Sequence, residues 1–249
     1  MKTEILLFGL AAALAEILGG VLIVSRGTWP RRMQETLLAL GAGFILALVF
    51  LRLIPASFST LGDSAAWYVL AGFATIHFFE HTVVGHLHFG EETHPDVMVS
   101  RIASLSAFSG LFIHAFFDGL SISVGMQFNY YVGLLVFIAV LLHKFPEGLT
   151  IGSIMLTAGF SRRKVLYAAI GIGVATVLGA GSVFVLENVD ARLVGSAFAF
   201  SAGTLVYVGA SDLIPEINKT ESRLPPILVF GGMLLFYLSE KVLEGFVGR

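Results

Sequence analysis

The chain has 249 residues, of which 56% are hydrophobic and 13% charged, with a mean hydropathy of +0.88. A water-soluble core of this size has no use for so much apolar surface, so the surrounding solvent must be lipid. The net charge of −2 gives no footing for nucleic acid, and the absence of cysteine excludes a disulfide framework, a thiolate metal site and thiol chemistry.

A helix needs about 20 apolar residues to cross a bilayer. Eight stretches qualify: 4–24, 36–55, 66–87, 101–125, 131–157, 163–186, 193–215 and 226–246. Runs of this length without period-two alternation are helices rather than barrel strands, so the expected fold is an all-α membrane protein, one transmembrane domain over 1–249. The first stretch, "MKTEILLFGLAAALAEILGG", resembles a secretory leader. It offers only Lys2 before Glu4, however, and its apolar run continues to Val24, so it reads as a first span. Glu16 within it either faces a path or pairs with a basic residue. The second stretch ends in "GAGFILALVFLRLIP", residues 41–55, with Arg52 inside it.

The third stretch leads into a polar loop at about 81–100, entered through "HFFEHTVVGHLHFGEETH", residues 77–94. His81, His86, His88 and His94 there, with Glu80, Glu91, Glu92 and Asp96 nearby, are candidates to hold a departing ion weakly. The spacing fixes no closed tetrahedral site, so a plain solvated loop is the alternative.

The fourth and fifth stretches carry two near-copies: "HAFFDGLSI", residues 114–122, and "HKFPEGLTI", residues 143–151. An ionisable residue at bilayer depth is costly unless paired or hydrated, which makes it a functional candidate. His114 and Asp118, like His143 and Glu147, stand four apart and so share one helix face. Two such helices facing each other present two imidazoles and two carboxylates to one point. Those borderline-to-hard N and O donors suit a divalent transition metal and not Cu(I), which wants sulfur. Pro146 frees the carbonyl of Leu142 and predicts a bend beside the site. Ser121 and Thr150, one turn further on, continue the same faces as candidates to line an aqueous path. The plainer alternative is a pair of His–carboxylate hydrogen bonds that glue helices together.

The sixth stretch has no acid before Glu187 and carries small residues at Gly171, Ala175 and Gly179. The seventh contains "SAGTLVYVGASDLIP", residues 201–215, identical to 41–55 at five of 15 positions. Small residues recur every four in both (Ala39, Gly43, Ala47; Gly195, Ala199, Gly203), a spacing that lets helices approach closely. The second and seventh spans point in opposite directions, as do the fourth and fifth, and repeats between opposed spans mark an inverted-repeat transporter with a midplane site. Asp212 and Glu216 close the seventh stretch as an exit step or as ordinary helix-end acids. Arg52 is equivalent to Asp212 in the repeat, and a bridge between them is expected as an inner gate or packing contact. Glu240 and Lys241 in the eighth stretch read as interfacial.

Nine Lys and Arg fall in the odd-numbered connections, four on the opposite side, and Arg52 and Lys144 inside spans. The positive-inside rule makes the nine-rich side cytoplasmic and places both termini outside.

At the fourth and fifth stretches the chain resembles the ZIP (Zrt/Irt-like) family of divalent-metal transporters, over essentially its whole length. The family's fourth-span signature, roughly His-Asn-x-x-(Asp/Glu)-Gly, is met by "HAFFDG" at His114, Asp118 and Gly119. Its fifth-span signature, (His/Gln)-acid-x-Pro-(His/Glu), is met by "HKFPEG" at His143, Pro146 and Glu147. The resemblance implies eight helices in a 3+2+3 inverted-repeat plan, outward termini, import toward the cytosol, and a histidine-bearing cytosolic loop that receives or senses metal. Together with the small-residue faces it also implies a homodimer. The expected cargo is zinc, with Cd, Fe, Mn, Ni or Co as alternatives. The metal is a transported ion and not a cofactor, and the expected setting is a prokaryotic cytoplasmic membrane.

Two positions depart from the family pattern. Members with two adjacent metals use the fourth-span Asn and the acid after the fifth-span His, where this chain has Ala115 and Lys144. Ala offers no ligand atom and an ammonium repels a cation. The expectation is one metal on His114, Asp118, His143 and Glu147, with Lys144 in the second metal's place and paired to Asp118 or Glu147. Some relatives supply a sixth-span carboxylate that this chain lacks.

The competing class is an intramembrane metal-dependent hydrolase or hydroxylase. "HFFEH" places His77 and His81 four apart, but Glu80 sits beside the second His, whereas zincin chemistry needs the base beside the first. Lys144 occupies that position in "HKFPE", and seven His in two places are too few for a hydroxylase.

Overall fold

Apolar side chains in lipid leave the backbone no solvent partner, so each run satisfies its own N–H and C=O groups as a helix. The computed structural model describes residues 2–26, 30–79, 101–182, 184, 191–218 and 222–247, and they are helical apart from short turns. The elements are α1 (Lys2–Arg26), α2 (Arg31–Leu48), a π-helical segment (Val49–Leu53), α3 (Ile54–Leu61), a 3-10 turn (Gly62–Ser64) and α4 (Ala65–Phe78). They continue with α5 (Arg101–Phe128), α6 (Tyr130–Thr157), α7 (Arg162–Ala180), α8 (Ala191–Tyr207), a second π-helical segment (Val208–Leu213), α9 (Ile214–Asn218) and α10 (Leu224–Val247).

Six helical runs among the described residues are long and apolar enough to cross a membrane. Their outward faces are lipid-compatible: Leu7, Leu10, Leu14, Leu18 and Val21 form an exposed stripe along α1, and Ile227, Phe230, Leu234 and Leu238 another along α10. The chain is an integral membrane protein. One run, Glu35–Phe78, is 44 residues long and joins the second and third expected spans. It reverses direction inside. Gly209 packs beside Ile45 and Leu46 while Gly195 packs beside Thr60 and Leu61, so α2–α3 runs antiparallel to α8. Gly72 lies on Phe200 and Phe73 meets Tyr207, so α4 runs parallel to α8. The reversal falls at Gly62, whose φ of +59° is open to glycine and strained for other residues. The expected third span continues past α4 into residues outside the described set.

Four helix pairs close on reciprocal glycines. A Cβ at Gly19 would strike the Phe145 carbonyl, and one at Gly148 the Glu16 carbonyl, locking α1 to α6. Gly119 and Gly179 do the same for α5 and α7, Gly43 and Gly232 for α2 and α10, and Gly72 and Gly203 for α4 and α8. Bare backbone against bare backbone maximises van der Waals contact where no hydrophobic effect drives helices together. The small-residue rows seen in sequence are therefore filled by the chain's own helices.

Each π segment follows the same part of the 41–55/201–215 repeat, and each ends on a residue that the repeat aligns, Leu53 and Leu213. Single π turns re-aim the side chains that follow them. Arg52, inside the first, does not bridge to Asp212 as the repeat suggested. It pairs instead with Glu240 of α10 and lies 3.6 Å from Glu244. Sequence equivalence gives matching positions in two halves, not adjacency, and the π turn directs Arg52 toward α10. Glu240, expected to be interfacial, is buried there, and Tyr131 donates a hydrogen bond to its backbone carbonyl at 3.0 Å.

Candidate metal centre

Helices α5 and α6 are joined by a single residue, Asn129, whose side chain accepts a hydrogen bond from the Val132 amide at 3.2 Å and so caps α6. The tight turn folds them into an antiparallel hairpin in which Gly125 meets Gly133. Asp118 and His143 then stand at comparable distances on either side of the turn, as do His114 and Glu147. The near-copies therefore face each other in inverted sense. Helix α6 continues through Pro146 as one helix, and Thr150 donates to the Pro146 carbonyl at 2.9 Å.

His114, Asp118, His143 and Glu147 each offer a donor atom, and the four atoms lie within 4.8 Å of one another. His114 Nε2 is 3.2 Å from Asp118 Oδ2 and 3.8 Å from Glu147 Oε1, and His143 Nε2 is 3.2 Å from the same Asp118 Oδ2. A tetrahedral ion with bonds of about 2.0–2.1 Å holds its donors about 3.3–3.4 Å apart, close to these edges. The His143 Nδ1–H donates to the Ala139 carbonyl at 2.9 Å. With that bond made, Nε2 is the ring atom left to face Asp118 Oδ2, the position from which a neutral imidazole would ligate a cation. All four residues are buried, and Ala115, also buried, adds no donor. Gly41 of α2 packs against the His143 Cβ and closes the site from that side.

Lys144 is fully buried, and its Nζ lies 2.8 Å from Asp118 Oδ2 and 2.5 Å from Glu147 Oε2. It meets both carboxylates named in sequence, not one. A third carboxylate, Glu16 Oε2 of α1, stands 3.6 Å from the ammonium. The sequence leaves Glu16 either facing a path or pairing with a basic residue, and the basic residue beside it is Lys144. A signal was available: Gly9, Ala12, Glu16, Gly19 and Ile23 recur every three or four residues and form the buried face of α1. An acid set into a small-residue row is an acid aimed at a neighbouring helix.

Further along the same faces, Ser121 and Ser201 join α5 to α8 by a hydroxyl–hydroxyl hydrogen bond. Asp212 is buried in the second π segment, 8% exposed. Glu216 lies in α9 and its side chain is outside the described set, as are the loop histidines His81, His86, His88 and His94. His77, at the end of α4, faces the Tyr207 ring at 6.0 Å between centroids.

The family model "ZIP Zinc transporter" matches residues 84–240, more than half of the chain. The chain is 30% identical over 139 residues to a Caenorhabditis elegans protein named Zinc transporter zipt-7.2, covering 51% of this chain and 29% of that one. It is 29% identical over 145 residues to Zinc transporter ZIP9 of Xenopus tropicalis (54% and 47%), and 33% identical over 119 residues to ZIP9 of Macaca fascicularis (44% and 50%). It spans half or less of the length of these relatives.

Proposed function

The chain belongs to the ZIP zinc transporter family, and from that premise we propose that it carries divalent transition-metal ions, zinc foremost, across the membrane toward the cytoplasm through one intramembrane site. The ligands in this reading are His114, Asp118, His143 and Glu147. Lys144 stands where a second ion would sit. The observation that carries the reading is the convergence of four N and O donors, all buried, on two adjacent apolar helices. In a low-dielectric setting such a cluster is costly unless a cation completes it. The names of the relatives point to the same cargo, zinc.

The finer architecture of this reading is eight passes in a 3+2+3 inverted repeat, with both termini outside a prokaryotic cytoplasmic membrane. The exchange of first with sixth, second with seventh, third with eighth and fourth with fifth spans supports it. That exchange turns the α1–α6 glycine contact into α7–α5, and α2–α10 into α8–α4, the four pairs found. The matched π segments obey it as well. A homodimer would have to use faces other than the small-residue rows, which are already filled. The hydrolase and hydroxylase alternative loses ground, because His77 packs on the Phe73 and Tyr207 rings and is not one of the four clustered donors.

Initial-rate uptake of radiolabelled Zn²⁺ into proteoliposomes tests the reading, with unlabelled Cd²⁺, Fe²⁺, Mn²⁺, Ni²⁺ and Co²⁺ as competitors. Saturable uptake above protein-free vesicles, inhibited by a subset of these ions, is expected. Uptake no faster than the empty vesicles would overturn it.

A further inference from the structure

Glu16 is fully buried, and neither of its carboxylate oxygens has a hydrogen-bond partner among the described residues. Its backbone is not free to drift. The Glu16 carbonyl packs directly against Gly148, and the Gly19–Gly148 contact holds α1 to α6 at the turn after Glu147. A bare carboxylate fixed at this depth calls for a cation. The nearest described one is the Lys144 ammonium, at 3.6 Å, too far for a good hydrogen bond and already held by Asp118 and Glu147.

Those two carboxylates are also the metal's ligands in the reading above, on which this inference rests. Asp118 Oδ2 is shared by His114, His143 and Lys144. An incoming divalent ion needs that oxygen, and it repels the ammonium that occupies it. Lys144 has four methylene units on which to swing, and a carboxylate without a hydrogen-bond partner lies 3.6 Å from its Nζ. We propose that Glu16 is a positioning residue that receives the Lys144 ammonium when the metal enters, so that Lys144 alternates between filling the empty site and pairing with Glu16. The charges support this. With all three carboxylates ionised and the histidines neutral, the cluster with its ammonium is formally −2, and a divalent ion brings it to zero. Without Glu16 the filled cluster carries +1, which low-dielectric surroundings oppose.

The test is a double-mutant cycle on Cd²⁺ and Zn²⁺ affinity, measured by titration calorimetry on the purified full-length chain with Glu16→Gln, Lys144→Met and the pair. A lysine that stays in place interacts equally with Glu16 in the empty and loaded states, so the two substitutions would act additively on binding. A lysine that moves onto Glu16 couples them. The expected result is that Lys144→Met improves affinity at least about fivefold more in the Glu16→Gln background than in the wild type. Gains equal within about twofold would overturn the proposal. Structures of the wild type with and without Cd²⁺ give a second readout that does not depend on any variant folding. Lys144 Nζ should close to hydrogen-bond distance from Glu16 in the loaded form, and an ammonium still on Asp118 would refute the idea. A wild type that binds no metal, or binds it undiminished after Asp118→Ala with His143→Ala, would instead remove the site assignment itself. Metal binding lost in that pair alongside an additive cycle would remove only the role of Glu16.

Discussion

At the scale of single residues, the cluster is governed by competition for carboxylate oxygens. Lys144 and the proposed ion require the same atoms, so the ammonium makes the empty site tolerable in lipid and weakens the hold on the filled one. Replacing Lys144 by Met removes the competitor. Equilibrium binding of Zn²⁺ should tighten by at least about tenfold, a difference near 1.4 kcal/mol, while uptake slows because release becomes limiting. Parallel binding and uptake assays check this, and unchanged values for both would contradict it. The residues in the two near-copies were legible in the sequence because His and Asp or Glu four apart in an apolar run are rare and fix one face. Glu16 was harder to assign. A lone acid announces that it needs a partner, but the partner is set by how α1 seats on α6, through Gly19 and Gly148, and that seating is tertiary.

At the scale of elements, glycine contacts set the positions from which side chains reach the centre. Gly148 sits directly after Glu147, and a methyl group there would strike the Glu16 carbonyl. Gly148→Ala should destabilise the fold by about 1–3 kcal/mol, the usual cost of overpacking a tight contact, and weaken metal binding, because α1 and α6 must separate. Thermal unfolding in detergent with a binding titration measures both, and a variant of wild-type stability would show that the helices are less tightly joined than described. The expected helices were largely readable from hydropathy, since long apolar runs admit little else. The reversal at Gly62 was legible too, because it falls in the polar connection between the second and third stretches, where Ser57, Ser59, Thr60, Asp63 and Ser64 surround the glycine. The π segments left no mark beyond the faint repeat, and so the sequence linked Arg52 to its counterpart Asp212 rather than to Glu240.

At the scale of the whole molecule, the proposed orientation can be read out directly because the chain has no native cysteine. Single cysteines at Asp63 and Asn129 should react with an impermeant maleimide from outside intact cells, whereas those at Arg162 and Arg223 should react only after permeabilisation. The reverse pattern would invert the topology and the proposed direction of import. The four glycine pairs and two π segments are interchanged by the span order proposed above, and an inverted repeat of that kind would let one half rock against the other around a fixed site.

The central claim is that Asp118 and His143 hold the transported ion, and the most direct measurement is Zn²⁺ uptake by proteoliposomes containing the Asp118→Ala/His143→Ala chain beside the wild type. The double substitution removes two of the four donors and the oxygen that Lys144 and both histidines share. Saturable uptake should fall by at least about 100-fold, beyond the 10–100-fold typical of losing an outer-shell partner, with the protein still folded and inserted. Uptake by the variant at a rate comparable to the wild type would contradict the account.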